Sequence, residues 1–433
     1  MIKSVTVLGA NGTMGANISG IFASFGNAKV YMVSRNQEQS TLAKTRAYKS
    51  VKAETIADNL IPTDYCHLED CITNSDLVFE CLSENTSLKS NILKTISKYI
   101  SEKTVVCSGT SGLSINDLAE CLPKEYRKNF YGIHFFNPPY SMTLCEVIPN
   151  QNCISKTTME LKSYLSQVLF RTVVEVRDSP AFLGNRIGFQ FINEALQYAE
   201  KYKDNGGVDY IDAILGSFTG RAMAPLVTSD YVGLDVHKAI VNNIYANTND
   251  YANTSFRLPE FVDKLINCGH LGRKTNGGLY RTIIHDNGKK QYMVYDINSD
   301  TYRDIIPYAF PFAEKMKMQI FEGDYEKAFE SLVKNRSQEA QICLSFLLRY
   351  IVYSLFAAKK IGDQIESADD VMATGFNWCP PLALLHALSS VSDVDILMKE
   401  RIPEICSQID VESLLYNVKP SKYDFRKFFK SGR

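Results

Sequence analysis

The sequence predicts an α/β protein: a doubly wound parallel sheet followed by all-α C-terminal domains. Three observations lead there. Short apolar runs alternate with helical patterns over the first 178 residues, the order that builds parallel sheets. The first run, Val5-Thr-Val-Leu8, passes straight into a glycine-rich turn that opens a helical pattern. After Asp178-Ser179-Pro180 the periodicity becomes that of long helices, clearest over 185–202.

Taken in order, strands are expected at 4–8, 30–33, 77–80, 104–107, 130–133 and 172–176, with helical patterns at 14–25, 86–99 and 157–168 between them. A helical domain follows over 179–282. Asp286-Asn287-Gly288 then separates two β-rich stretches, which reads as a hairpin connector over 283–310. Helical patterns resume over 311–433 as a second helical domain. The basic, aromatic run 419–433 shows no clear apolar face and is expected to be a solvated tail.

Bulk properties narrow the function. With 433 residues, 45% of them hydrophobic, the chain can bury two or three ordinary cores. Its 47 Lys and Arg nearly balance 48 Asp and Glu, so no global field recruits nucleic acid or an anionic membrane. The 11 cysteines are scattered singly, without metal-ligand or redox spacing, and read as reduced thiols. Met1-Ile2-Lys3 runs directly into the first strand pattern and no apolar run has the length of a membrane span. The expectation is a cytoplasmic protein with neither nucleic-acid nor membrane partners and no metal.

The first motif is Gly9-Ala-Asn11-Gly12-Thr13-Met14-Gly15 after the opening strand. Glycines allow a tight turn and close approach of backbone to a pyrophosphate, which the following helix N-terminus favours. This is a Rossmann-like dinucleotide loop, although its spacing is GxxGxxG rather than GxGxxG. At the end of the second strand an acidic residue normally accepts a hydrogen bond from the ribose 2′-hydroxyl. Here the chain reads Val33-Ser34-Arg35-Asn36, and an arginine there pairs with a 2′-phosphate. NAD and NADP are both open, Arg35 favouring NADP; the alternative is an exposed arginine without a ligand. Lys44, Arg46, Lys49 and Lys52 lie near the expected adenine end, as phosphate contacts or as a solvated helix face.

The second motif is Gly132-Ile-His134-Phe-Phe-Asn137-Pro-Pro139, a histidine at the end of a buried strand, with Glu146 twelve residues on in Leu144-Cys-Glu-Val-Ile148. A neutral imidazole can take a proton from an alcohol while hydride leaves its carbon. A nearby carboxylate orients the ring and stabilises the imidazolium.

This motif, with Glu146 downstream, resembles the signature of 3-hydroxyacyl-CoA dehydrogenases, and further segments match in order. Glu84 and Lys89 are similar to the family's cofactor-contacting acid and base, and Ser108-Gly-Thr-Ser111 resembles its Ser-Asn-Thr-Ser. The resemblance makes Ser111 a contact to substrate and nicotinamide, Asn185 a substrate contact opening the helical domain, and Asn137 and Lys274 part of the cofactor site. Catalysis would fall to His134, Glu146, Ser111 and Asn185. The dinucleotide would meet Gly9, Asn11, Gly12, Thr13, Met14, Gly15, Ser34, Arg35, Glu84, Lys89, Ser111, Asn137 and Lys274; the resemblance favours NAD where Arg35 favours NADP.

The implied activity is interconversion of (S)-3-hydroxyacyl-CoA and 3-oxoacyl-CoA, as in fatty-acid β-oxidation. Alternatives are reduction of a carrier-bound 3-oxoacyl group or of a free acid, and a non-catalytic relative. Residues 311–433, with Gly375-Phe-Asn-Trp-Cys-Pro-Pro381, resemble a degenerate second copy of the helical domain, as in the dehydrogenase part of multifunctional enzymes. That implies a monomer with an internal pseudo-dimer, or else a homodimer. No hydratase domain is recognisable, so the dehydrogenase step alone is expected.

Overall fold

The computed structural model describes residues 2–416 and 418–429. Two compact units emerge. The first holds residues up to Phe182 with Ile361–Asp363 and Thr374–Phe376; the second holds the remainder.

In the first unit an eight-stranded sheet runs β1 (Ser4–Leu8), β2 (Lys29–Ser34), β3 (Leu60–Asp64), β4 (Leu77–Glu80), β5 (Val105–Ser108), β6 (Phe130–Phe135), β7 (Leu144–Pro149) and β8 (Thr172–Glu175), in spatial order β3-β2-β1-β4-β5-β6-β7-β8. Helices α1 (Thr13–Ser24), α2 (Gln37–Val51), α3 (Leu68–Thr73) and α4 (Thr86–Ile96) connect the first five strands. Val5, Val7, Val30 and Met32 pack with Ile18, Ile21 and Phe22 of α1 and Ala43 and Ala47 of α2 in one apolar cluster. Because β2 and β4 flank β1 on opposite sides, the connections reverse direction at the end of β1, where such sheets open a crevice.

Two departures from the sequence reading matter. Strand β3 is absent from the strands expected; its Pro62, within Leu60-Ile-Pro-Thr-Asp64, is tolerated because β3 is an edge strand that needs only one ladder. The sheet is also not wholly parallel: β7 runs antiparallel to β6. At the opposite edge the Ile361 carbonyl accepts from the Arg177 N–H at 2.8 Å and Gly362 bridges Val176, so residues far along the chain cover β8.

In the second unit the helices Gly184–Lys201, Val208–Ile214, Pro225–Val232, Leu234–Asn247 and Glu260–Asn267 precede a three-stranded meander, β9 (Tyr280–Ile284), β10 (Lys290–Asp296) and β11 (Thr301–Asp304), rather than a lone hairpin. The later helices share this unit with the earlier ones. One device recurs in both halves: Asp212 accepts from the N–H groups of Leu226 and Val227 at the start of Pro225–Val232, and Asp369 from Leu382 at the start of Pro381–Ser389. Helix Gln338–Ile361 is long and apolar enough to cross a membrane, which the sequence reading overlooked, but 78% of its apolar window is buried inside the protein.

The solvated-tail expectation fails over its described part. Phe425 and Phe429 set their rings against Phe329 at 5.8 and 5.2 Å, Phe429 is buried, and Lys422 and Tyr423 bind Asp370. Aromatic burial outweighs the charge of the run. Residues 430–433 lie outside the described residues.

Candidate active site

The glycine loop starts where β1 ends. Gly9 has φ +79°, and a Cβ there would lie 2.6 Å from the Cys81 carbonyl oxygen; a Cβ on Gly15 would lie 2.4 Å from the Gly9 carbonyl oxygen. Both glycines are therefore demanded by the protein's own packing. Gly12 is not: its φ is −71° and a Cβ would meet nothing closer than 3.4 Å. It is exposed at the N-cap of α1, whose first N–H groups receive no side-chain cap, and Thr13 and Met14 follow it. A glycine with open space beside free helix N–H groups fits a pyrophosphate, because only a ligand gains from the missing side chain. The residues present thus fit a dinucleotide.

Asn11 ties this loop to α2. Its carbonyl accepts from Arg46 at 2.6 Å and its amide donates to Gln39 at 3.3 Å. Ser34 closes β2, fully buried, and Arg35 follows it, exposed.

The loop after β4 holds a buried charge network. Lys89 of α4 donates to both Glu80 oxygens, at 2.7 and 2.9 Å, and to the Leu82 carbonyl at 3.2 Å. Ser108, ending β5, donates to Glu80 at 2.6 Å, as does the Leu82 N–H. Lys89, placed at the cofactor by the resemblance, is fully enclosed here, its ammonium bound to Glu80 and 3.7 Å from Glu84. Its ammonium stabilises Glu80, which could not end a buried strand unpaired. Glu80 and Thr110 were missed as organising residues, though an acid closing the apolar run Leu77-Val-Phe was the available signal.

Glu84 is half exposed and accepts from the Thr110 hydroxyl at 2.5 Å and the N–H groups of Ser111 and Gly112 at 2.9 and 3.1 Å. One carboxylate thereby fixes the turn after β5 that carries Ser111. Glu84 and Ser111 are brought together; the sequence placed them 27 residues apart.

The centre of the site is set by strand register. His134 on β6 stands directly opposite Glu146 on antiparallel β7. Opposed residues on paired strands project from the same face, so the side chains meet: His134 Nδ1 lies 2.7 Å from Glu146 Oε2. Both are buried, His134 at 5% exposure and Glu146 at none. Phe136 and Phe182 wall the imidazole at 4.6 and 5.6 Å between centroids. Nε2 has no hydrogen-bond partner among the described residues, which leaves one nitrogen for a substrate oxygen. Asn137 lies exposed beyond β6, its bond to Pro138 cis.

Asn185 and Lys274 belong to the second unit. Asn185 is buried in the first turn of Gly184–Lys201. Lys274 pairs with Asp235 at 2.5 Å on the surface.

Residues 4–179 match the family model "3-hydroxyacyl-CoA dehydrogenase, NAD binding domain" and residues 182–282 the corresponding C-terminal domain. The 3-hydroxybutyryl-CoA dehydrogenase of Clostridioides difficile is 32% identical over 290 residues, which are 64% of this chain and 98% of that protein. The chain belongs to the 3-hydroxyacyl-CoA dehydrogenase family. A probable 3-hydroxyacyl-CoA dehydrogenase of Bacillus subtilis is 26% identical over 404 residues, 87% of this chain; the chain spans only 50% of that relative's length. In fold, the solved 3-hydroxybutyryl-CoA dehydrogenase of Escherichia coli K12 superposes with a TM-score of 0.66 at 19% identity, covering 94% of this chain and all of that one. The family's Ser-Asn-Thr-Ser reads Ser-Gly109-Thr-Ser here, and a Cβ at Gly109 would approach Phe79 to 2.9 Å.

Proposed function

We propose that the chain interconverts 3-hydroxyacyl-CoA and 3-oxoacyl-CoA thioesters with a nicotinamide dinucleotide. The single observation that carries this reading is the buried His134–Glu146 pair with its free Nε2. When bound, the dinucleotide supplies hydride acceptance or donation at its nicotinamide ring.

The protein's part is proton handling and positioning. On oxidation the substrate hydroxyl gives its proton to His134 Nε2 as the carbon–hydrogen bond breaks and the carbonyl forms; reduction returns it. Glu146 accepts from Nδ1–H, fixes the tautomer and offsets the imidazolium charge. Phe136 and Phe182 exclude water from the ring and strengthen that pairing. Ser111, held through Glu84, and Asn185 are assigned to the 3-oxygen by family match. Glu84, Asn137 and Lys274 are assigned to the dinucleotide on the same ground.

The test mixes acetoacetyl-CoA with NADH and with NADPH and follows absorbance of the reduced nicotinamide. Its loss with either cofactor, and its retention in His134→Ala, is the expected result. Silence of the wild type with both cofactors, despite measurable cofactor binding, would remove the thioester assignment.

A further inference from the structure

We propose that the end of β2 is a 2′-phosphate site, so that this chain selects NADP(H) over NAD(H). The proposal rests on the dinucleotide reading above and sharpens it.

The acidic side chain that would accept from a ribose 2′-hydroxyl is missing, and Ser34 stands where β2 ends. Its hydroxyl is buried and has no hydrogen-bond partner among the described residues. Buried hydroxyls are nearly always paired, and this orphan ends β2, whose Val33 carbonyl accepts from the Gly9 and Ala10 N–H groups of the glycine loop, so the unpaired group lies beside the proposed dinucleotide path. A phosphate oxygen accepts that hydrogen bond; a carboxylate at the same place would repel the phosphate.

Arg35 follows immediately, exposed and with no ion pair among the described residues. A guanidinium unspent on protein carboxylates can grip a phosphate through two parallel N–H bonds, which an uncharged 2′-hydroxyl cannot reciprocate. Arg46 brings a second guanidinium to this side, bound to the Asn11 carbonyl of the glycine loop at 2.6 Å. Asn36 is committed to capping α2 through the Gln39 N–H at 2.9 Å, so the phosphate falls to Ser34 and Arg35.

Two acids lie close in sequence or register. Asp64, opposite Ser34 on β3, is drawn into its own turn, where one oxygen accepts from the Cys66 N–H at 3.0 Å and contacts His67 Nδ1 at 3.2 Å. Glu38 sits exposed in the first turn of α2. Neither occupies the end of β2, where a 2′-hydroxyl would need an acceptor.

The experiment measures dissociation constants of NADPH and NADH on the full chain by calorimetry, without acyl substrate, and repeats them with adenosine 2′,5′-bisphosphate and 5′-AMP. NADPH is expected to bind about 10- to 100-fold tighter than NADH, from one or two charge-assisted hydrogen bonds, with the bisphosphate ahead of AMP. The advantage shrinks as salt rises, because it is Coulombic. Arg35→Ala, an exposed position that leaves the core intact, removes most of the advantage, and Ser34→Asp inverts it. Wild-type NADH binding equal to or tighter than NADPH, or an unchanged ratio in Arg35→Ala, overturns the proposal and leaves the dehydrogenase reading standing. Failure of both dinucleotides to bind overturns both.

Discussion

Lys89–Glu80 and His134–Glu146 are both buried acid–base pairs in the first unit, yet they differ in what they leave unspent. Lys89 gives its donors to two Glu80 oxygens and a carbonyl, and Glu80 receives Ser108 and the Leu82 N–H as well. Nothing remains for a ligand, and the network fastens β4, α4 and β5 together. His134 uses Nδ1 alone. A closed polar network specifies structure; one uncommitted nitrogen in an apolar wall can do chemistry.

The sharpest way to break this contrast is His134→Ala. Turnover should fall by about 10²–10⁴-fold, the usual range for a lost general acid–base, with some loss of stability because buried Glu146 loses its partner. A variant that melts early and turns over normally would reverse the assignment.

Lys89→Met is the converse test. Leaving Glu80 buried without its cation should cost about 3–5 kcal/mol in denaturant unfolding. If stability holds and only dinucleotide affinity drops, Lys89 is a ligand contact after all.

Glu146→Gln keeps the shape of the pair and removes its charge. Turnover should drop by about 10²-fold, less than for His134→Ala, because the imidazole stays in place but its protonated form loses its counter-charge.

The smallest effect lies outside the contrast, in the second unit. Burial pushes the Asp212 carboxyl up to about 7, and it accepts from the Leu226 and Val227 N–H groups and the Tyr280 hydroxyl. With the folded value above the unfolded one near 4, the native state holds the extra proton. The contribution of this group is fully present below pH 4 and is lost as pH rises towards 7. Asp212→Asn should therefore destabilise by about 1–3 kcal/mol at pH 4, with a gap to wild type that narrows by pH 7 in thermal melts.

Much of the site was legible in the chain. His134 before its proline turn, Glu146 downstream, the glycine loop and Ser34-Arg35 all follow from residue types and local order. Legibility ended where contacts are non-local. Strand β3, with Pro62 inside it, forms as an edge strand, and a sequence does not say which strand will be an edge. That Lys89 and Ser108 both bond Glu80 was hidden too, because the three residues come from different elements. The aromatic tail looked solvated because Phe329, its partner, lies almost a hundred residues earlier.

The sequence by itself determined the alternation of strands and helices, the glycine turn and the chemical identities of acid and base, since these depend on side-chain periodicity and backbone freedom within a few residues. Only the tertiary structure decided that β7 pairs with β6 in the register that sets His134 opposite Glu146 at bonding distance. The short connection between Phe135 and Leu144 already excludes a parallel crossover, but register depends on which residues the whole sheet buries, and no local stretch contains that.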